Sequence, residues 1–463
     1  MANYTQRKIL FYFLISHLLI WTLVPTLSNS NLPRDTIEAL AWGSNLDWGF
    51  DKHPPLSAFA TEIVYKIFGN QDWAYYFLSQ LFVIITFFVV YKFSEEFFDN
   101  KKLALLSVLF LEGIYFYNFT TPEFNVNVAQ LPFWALSVYF TWRCIKYDKA
   151  TDYLFLGLFV GLGILSKYLF IYLVIAIKLV FIYIIRKAKK INFPHYLIAG
   201  PITLLVLSPH FVWLVENDFI TITYGLHRSS GDFYMGDPSI INHLKYPLNF
   251  LLKQIGLLTP FFIMLYFVIS KIKIKYNTND KKLIFLTAIN LLPIFLIFLT
   301  SLFFGIKIRT MWMTPFYLFI GTFIVYILQK NINLKKIKNF YAIFLFFFLL
   351  SPGVYFLNSI IKKDQRLDYP AKQISNEVQK NWDQNFKNQI DIVVGQAWWA
   401  GNLSYHLESR PKFVRGFLNN VNLQQNVLGG IVYIEDKNSE LTKSCSGVSF
   451  VIHTRYICMI GNR

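Results

Sequence analysis

Residues 153–185 read YLFLGLFVGLGILSKYLFIYLVIAIKLVFIYII. The topology of the chain depends on whether this stretch forms one helix or two. It is almost entirely apolar and longer than the roughly 20 residues that one helix needs to cross a bilayer. A lysine inside the hydrocarbon is costly, so Lys167 indicates a break at Ser166-Lys167 and two spans, 153–166 and 168–185. The alternative is one long, tilted helix.

Similar apolar runs recur from Ile9 to Ile360. The chain is 55% hydrophobic, 19% aromatic and only 15% charged, which excludes an ordinary soluble globular protein. The runs predict an all-α membrane bundle of about eleven helices. The other predicted spans are 9–27, 73–91, 103–119, 126–144, 195–215, 248–270, 283–304, 309–328 and 340–360. The stretch after Arg7 and Lys8 shows no small-residue cleavage site, so it is expected to be an anchor.

Basic residues accumulate in every second loop of this scheme, as they do in loops that stay cytoplasmic. The alternation begins at Arg7 and Lys8, and it inverts if the break at Ser166 is removed. The net charge of +17 is therefore explained by topology, with anionic lipid headgroups and not nucleic acid as the expected partner. The loops expected on the far side are 28–72, 119–125, 216–247, 305–308 and everything after Lys362.

The sequence beyond Lys362 is ordinary in polarity and alternates between strand and helix patterns. An amphipathic helix is expected over 368–382, and strands over 390–394, 431–434 and 448–453. The chain thus divides into a membrane domain, 1–361, and a small extracytoplasmic α/β domain, 362–463. Cys445 and Cys458 would lie in an oxidising compartment, where a disulfide is expected, whereas Cys144 would stay reduced on the cytoplasmic side.

The first far-side loop, 28–72, is too long for a simple connector. It carries Arg34-Asp35 and then Lys52-His53-Pro54-Pro55-Leu56. Two prolines fix two φ angles, so Lys52 and His53 are presented in a rigid segment suited to a phosphate. The alternative is that Lys52 reaches towards the membrane interface and His53 caps a turn.

Aromatic residues in the same loop indicate an element at the membrane interface. Trp42, Trp48 and Phe50 are amphipathic or large rings of the kind that settle there. An interfacial helix over about 33–46 is the expectation. Asp47 and Asp51 are interpreted as loop residues.

This loop resembles the first extracytoplasmic loop of GT-C glycosyltransferases, in the branch of protein O-mannosyltransferases and the aminoarabinose transferase of lipid A. Further stretches resemble the family in order and topology: Thr121-Pro122-Glu123-Phe124; Gly157 to Lys167; Lys307-Ile308-Arg309 with Trp312 and Pro315; and Trp398 to Pro411 (WWAGNLSYHLESRP). One position departs from the family, because aminoarabinose transferases have Glu-Lys before the two prolines. A metal ligand assigned to that glutamate is not carried over.

The resemblance implies transfer of a sugar from a polyprenyl-phosphate donor to an acceptor on the extracytoplasmic face. An attacking hydroxyl must lose a proton while the leaving phosphate gains charge, so the site needs a carboxylate and several cations. Asp35 is assigned as the general base of an inverting reaction, and Glu123 as a supporting acid. The alternatives are that Asp35 caps its loop helix and that Glu123 caps the helix that follows it.

Cations near the interface are the candidates for holding the donor phosphate, because oxyanion recognition favours fixed cationic donors. They are Arg34, Lys52, His53, Arg228, Lys307 and Arg309. Lys307 and Arg309 run against the positive-inside bias, and a bound phosphate would explain them. No cofactor is required, although His210 and His227 are candidates for a divalent metal; the alternative for His210 is a residue bonding backbone groups at the Pro209 kink. The Gly-rich loop 216–246 has the composition of a mobile lid.

Other classes explain the sequence less well. A transporter or flippase would usually show inverted repeats and charges near mid-membrane, and neither is found in the predicted spans. A membrane-anchored sensor leaves Lys52 to Leu56 unexplained. Family analogy favours lipid A or a similar envelope glycolipid as acceptor, with a protein acceptor as the alternative. A multi-pass protein of the bacterial inner membrane is expected.

Overall fold

The computed structural model describes residues 2–188, 192–230, 240–273, 277, 279–362, 365–416, 429–437 and 445–463. Helices dominate the first 361 residues. They are α1 (Ala2–Ser28), α2 (Arg34–Gly43), α3 (Leu56–Phe68), α4 (Asp72–Glu95), α5 (Lys101–Leu109), α6 (Val126–Ala129), α7 (Leu131–Tyr147), α8 (Ala150–Ser166), α9 (Ile171–Ala188), α10 (Phe193–Glu216), α11 (Ile220–Ser230), α12 (Asn242–Leu257), α13 (Thr259–Tyr266), α14 (Lys281–Phe304), α15 (Ile320–Leu328) and α16 (Ile337–Ile361). Short 3-10 helices cover Phe110–Gly113, Tyr115–Tyr117, Tyr168–Phe170, Thr310–Tyr317, Leu334–Lys336 and Arg366–Asp368.

Within the described residues, six helices are long and apolar enough to cross a membrane. They are Thr5–Ser28, Asp72–Glu95, Tyr168–Arg186, Phe193–Glu216, Lys281–Phe304 and Leu334–Ile361. The number rises to eight if each of two bent helix pairs is counted as one span, namely Asn242–Leu257 with Thr259–Tyr266 and Thr310–Tyr317 with Ile320–Leu328. The multi-pass helical fold is thus confirmed, although the runs at 103–119 and 126–144 contain the shorter helices α5 and α7. Apolar composition there marks buried helices, which need not span the bilayer unbroken.

The break at Ser166-Lys167 is present. Helix α8 ends at Ser166, Lys167 is extended (φ −166°, ψ 134°), and a 3-10 turn leads into α9. Lys167 is only 4% exposed, and its ammonium donates to the side-chain oxygen of Asn127. The break therefore supplies a polar partner for the charge, and the single tilted helix is excluded.

The glycines of α8 allow α10 to pack closely against it. A Cβ at Gly157 would lie 2.4 Å from the carbonyl oxygen of Ala199, and one at Gly161 would lie 2.7 Å from Val206. The Thr203 hydroxyl also donates to the Gly157 carbonyl (2.9 Å). Small residues at such an interface are typical of helices that associate in a membrane.

The C-terminal part is a small α/β unit, as predicted. Its elements are α17 (Ala371–Asn385), β1 (Ile390–Gly395), α18 (Ala397–His406), β2 (Lys412–Arg415), β3 (Gly430–Asp436), β4 (Val448–Ile452) and β5 (Arg455–Ile460). The sheet order is β2-β1-β3-β5-β4, with β2, β1 and β3 parallel and the remaining pairs antiparallel. The expected disulfide joins Cys445 to Cys458, and Cys144 is free and buried.

The predicted loop helix exists as α2, but the C-terminal unit covers it. Trp42 and Phe50 stack at 5.4 Å and belong to a buried cluster that also contains Trp382 and Val393. Trp48, by contrast, is 43% exposed. The expectation of an interfacial position was therefore wrong for Trp42 and Phe50. Both settings favour aromatic rings, so composition alone does not separate them.

One arginine ties the C-terminal unit to the loop helices. Arg410 donates to the Leu40 carbonyl (2.6 Å) and to Glu62 Oε2 (2.8 Å), and its guanidinium lies 4.2 Å from the Tyr65 ring centroid. Its side chain is 12% exposed and that of Glu62 is 8% exposed. Beside it, a Cβ at Gly401 of α18 would lie 3.0 Å from Ala41 of α2. These contacts hold α2 against α18.

We predict that Arg410→Met destabilises the protein by about 3 kcal/mol, because it leaves the Glu62 carboxylate buried without its partner. Thermal unfolding in detergent, followed by intrinsic fluorescence, measures the effect. Lys146→Met is the control, since the Lys146–Glu96 pair is more exposed and should contribute no more than about 1 kcal/mol. Equal melting temperatures for the two variants would contradict the role of Arg410.

Candidate active site

A cavity of about 310 Å³ lies where the N-terminal loop, the breaks between spans and the segment after α16 meet. Its lining residues are mostly charged or polar. They are Arg34, Asp35, Glu38, Trp42, Lys52, His53, Ser57, Glu123, Asn125, Val126, Asn127, Lys167, Tyr224, Arg228, Arg309, Met311, Trp312 and Arg366. The cavity thus brings together both predicted catalytic carboxylates and five of the six cations predicted to hold a phosphate.

Asp35 and Glu123 are neighbours in this cavity. The backbone N–H of Asp35 donates to Glu123 Oε1 (3.0 Å), and the Thr36 hydroxyl donates to the Phe124 carbonyl (3.1 Å). The first turn of α2 is thereby fixed on the turn that carries Glu123. The two carboxyl groups therefore influence each other's ionisation directly.

The proton of this pair is best assigned to Glu123. Burial, and then the Asp35 carboxylate, raise the pKa of Glu123, and among nearby cations only Arg366 is found to oppose that rise. Burial and the Glu38 carboxylate also raise the pKa of Asp35. Three cations oppose that second rise, namely Arg34, Lys52 and Lys167. These cations favour the ionised form of Asp35 over that of Glu123.

Asp35 does not cap α2, and Glu123 does not cap the helix that follows it. Pro33 occupies the N-cap position of α2, and Asp35 lies in the first turn of that helix. The N-cap of α6 is Asn125, whose side chain accepts hydrogen bonds from the N–H groups of Asn127 and Val128. Both capping alternatives are thus wrong, which leaves Asp35 and Glu123 facing the cavity.

Lys52 is held by a carboxylate that sequence reasoning missed. Its ammonium is paired with Glu38, which is 7% exposed and also lines the cavity. His53 beside it has a pKa lowered to about 3 by burial and by Lys167 and Lys52. His53 is therefore neutral at physiological pH and offers hydrogen bonds without a charge. The reading of Lys52 as a residue that merely reaches for the interface is wrong.

Lys167 enters the cavity at the break between α8 and α9. Burial lowers its pKa to about 7, while Asp35 opposes the shift. Its ammonium also lies 5.4 Å from the Trp312 ring centroid. An ammonium so little stabilised gains most from an anionic ligand, because the ligand would replace the water that the site excludes.

Arginines surround the remaining wall. Arg34, Arg228, Arg309 and Arg366 line the cavity, and within the described ranges none of them is within ion-pair distance of a carboxylate. Lys307 is exposed and does not line it.

The two histidines considered for a metal do not form a metal site. His210 lies between the Tyr168 hydroxyl and the Trp48 carbonyl, each 2.6 Å from a ring nitrogen. His210 therefore connects the N-terminal loop to the membrane-spanning helices. Its hydrogen bond to a backbone carbonyl supports a structural role. His227 is exposed on α11. The described part of the chain contains no group of three His, Cys, Asp or Glu residues placed to hold a metal.

Part of the predicted lid lies outside the described residues, namely 231–239. Of the rest, α11 places Tyr224 and Arg228 at the cavity. Three charged cavity residues were not assigned to the site from the sequence, namely Glu38, Lys167 and Arg366. Lys167 was recognised only as the marker of the break between two spans. Glu38 was detectable, because it lies three residues after Asp35 on a predicted helix and so shares its face. Arg366 gave no local signal, since it follows the last span in a short connecting segment.

The chain is similar to known proteins in both sequence and fold. Residues 52–213 match the family described as dolichyl-phosphate-mannose-protein mannosyltransferase. A 148-residue segment is 27% identical to the undecaprenyl phosphate-alpha-4-amino-4-deoxy-L-arabinose arabinosyl transferase of Wigglesworthia glossinidia brevipalpis. That segment is 30% of this chain and spans only about a quarter (26%) of the relative.

Solved structures extend the likeness to the whole fold. The apo crystal structure of ArnT from Cupriavidus metallidurans matches with a TM-score of 0.66 and 12% identity, over 98% of both chains. The same protein bound to undecaprenyl phosphate matches with a TM-score of 0.59, also at 12% identity and 98% coverage of both chains. The chain therefore has the fold of these solved structures, which is the fold that its sequence motifs indicated.

Proposed function

We propose that this protein transfers a sugar from a polyprenyl-phosphate donor to an acceptor on the extracytoplasmic side of the bacterial inner membrane. The observation that carries the proposal is the cavity in which Asp35 lies among Lys167 and four arginines that pair with no described carboxylate. Direct displacement needs one base and a cationic site for the leaving phosphate. The described residues supply both.

In the proposed reaction Asp35 accepts the proton of the attacking acceptor hydroxyl as the bond to the anomeric carbon forms. The bond from that carbon to the donor phosphate breaks, and its electron pair leaves with the phosphate oxygen. Arg34, Arg228 and Arg309, with Lys52 and Lys167, stabilise the charge that develops there. Glu123, in its neutral form, fixes the Asp35 backbone. A single carboxylate base corresponds to inversion at the anomeric carbon.

The identities of the acceptor and of the sugar are inferred only from similarity to known proteins. The curated relative is named for transfer of 4-amino-4-deoxy-L-arabinose, which favours that class of sugar and an acceptor such as lipid A or a similar envelope glycolipid. The matched protein-mannosyltransferase family supports a second candidate, a protein acceptor. Lipid A mass spectra of a deletion strain and its parent distinguish the two acceptors. If the protein modifies lipid A, the deletion strain lacks the lipid A species that is heavier by the mass of one sugar.

Orientation and domain roles belong to the same proposal. The alternation of basic loops supports a position outside the cytoplasm for the cavity and for the unit 362–463, and the division of that unit from the membrane domain 1–361 stays a prediction. No metal is needed for the proposed steps. Lys307, a candidate from the sequence, does not line the cavity and has no role in the proposed reaction.

We predict that Asp35→Asn lowers turnover about a hundredfold or more, because an amide cannot accept the proton. Transfer from a purified undecaprenyl-phosphate sugar in nanodiscs measures the effect, with thermal stability of the same preparation as a check. Asp47→Asn is the matched control, since Asp47 lies in the same loop and bonds only the neighbouring Trp48 N–H in the described contacts. Near-normal turnover of Asp35→Asn in a stable protein would end the assignment of the base.

The pH dependence follows from the same pair. Because the pKa of Asp35 is raised, kcat/KM should be full above that raised value and fall as pH drops through it, at a higher pH than for an ordinary aspartate. We predict that Glu123→Gln keeps this acidic limb in place and reduces turnover by less than about tenfold, because glutamine mimics the neutral acid and still accepts the Asp35 N–H. A limb that moves to lower pH would show that Glu123 is ionised.

We predict that Arg309→Ala raises the donor KM about tenfold or more, since one charge-assisted hydrogen bond contributes about 1.5–3 kcal/mol. Lys307→Ala is the matched control two residues away, and it should leave the donor KM nearly unchanged because Lys307 does not reach the cavity. Initial rates over a range of undecaprenyl-phosphate sugar concentrations separate the two. Equal effects of the two substitutions on the donor KM would contradict the assignment of Arg309, and not Lys307, to the donor phosphate.

A further inference from the structure

A second cavity, of about 320 Å³, adjoins the first and has no role in the proposed reaction. Arg34, Glu38 and Lys52 line both cavities. The C-terminal unit supplies the opposite wall through the segment 395–398 and through Arg415. The Glu38–Lys52 ion pair therefore stands at the boundary between two connected spaces.

This second cavity lies at a place where α/β sheets commonly bind ligands. Gly395 ends β1 and Arg415 ends β2, and these two strands are parallel neighbours. The chain runs from β1 through α18 to β2 on one side of β1, and then to β3 on its other side. Crevices outside the carboxyl ends of parallel strands at such a reversal of strand order are typical binding sites.

The charges around the cavity favour an anion. Arg34, Lys52 and Arg415 face one lining carboxylate, Glu38. Arg415 is also paired with Asp51, but a guanidinium has five N–H donors, so donors remain for a ligand. Counting Asp51 with the lining groups, cations still outnumber carboxylates.

Two further features indicate what else the ligand contains. The first turn of α18 forms part of the wall, and no side chain caps that turn. The half-buried indole of Trp398 lines the same space. Backbone N–H groups at a helix start favour a phosphoryl group, and an aromatic face suits the apolar face of a sugar ring.

We propose that this second cavity binds a phosphorylated sugar of the acceptor, so that the C-terminal unit is an acceptor-binding element. Arg34 lines both cavities and directly precedes Asp35, so a ligand in the second cavity meets the donor site beside the base. The inference rests on the proposed function for its biological meaning. Ligand binding can be measured without sugar transfer, so the inference and the proposed function can be tested separately.

The test is native mass spectrometry of the detergent-solubilised full chain with two probes, lipid A carrying both phosphates and the same lipid with both removed. We expect wild type to bind the phosphorylated probe at least about fivefold more than the dephosphorylated one. Arg415→Gln should lose that preference, because it removes a cation found only in the second cavity. Binding of undecaprenyl phosphate, measured alongside, should be unchanged in this variant.

Lys412→Gln is the matched control, because Lys412 begins the same strand, is exposed and does not line the cavity. It should bind both probes as wild type does. A second variant, Ala397→Asp, places a negative charge at the cavity without removing Arg415 and should also abolish the preference. Equal binding of the two probes by wild type, or an unchanged preference in Arg415→Gln and Ala397→Asp, would overturn the inference. Absence of sugar transfer with the preference intact would instead overturn the proposed function.

Discussion

Helix α2 is held at both ends, and the position of the candidate base depends on that support. At its start, the Asp35 N–H and the Thr36 hydroxyl bond the turn at Glu123 and Phe124. Near its end, Arg410 bonds the Leu40 carbonyl. The first support comes from the membrane-spanning part and the second from the C-terminal unit. A ten-residue helix has little stability of its own, so these contacts determine where Asp35 lies.

The electrostatics of the cavity follow from unequal pairing. Lys52 has a carboxylate partner in Glu38, whereas the lining arginines have none in the described ranges. Partly exposed guanidinium groups tolerate this because water solvates them, but buried Lys167 tolerates it poorly. The arrangement is poorly suited to an empty site and well suited to an anion. Cations without a partner carboxylate are unfavourable for folding but favourable for binding an anion, and such groups are typical of functional sites.

The six long apolar helices and the break at Lys167 were predictable, because a long apolar run and a charge inside one are strong local signals. The predicted count of about eleven spans exceeds the six to eight found in the described residues, since it also counted shorter buried helices such as α5 and α7. The disulfide was also expected, once topology placed both cysteines outside the cytoplasm. The Glu38–Lys52 pair was not predicted, since it depends on how the chain folds back over the intervening residues. The short strand β2 and the cavity position of Arg366 likewise depend on long-range packing. Pattern reasoning identifies elements and polar clusters, but it does not show which polar groups meet.

Interruptions of the helices explain how those groups meet. Lys167 follows the end of α8, Glu123 lies in the turn before α6, and Trp312 belongs to the 3-10 segment of a bent span. In a bilayer, backbone without regular helical hydrogen bonds is tolerated only where protein or a water-filled cavity surrounds it. Each of these interruptions borders the same cavity, and one lining side chain, Asn125, also caps the helix that begins there. The interruption of the spans and the need for a polar site are therefore met by one arrangement, in which the ends of helices supply the charged and polar groups of the cavity.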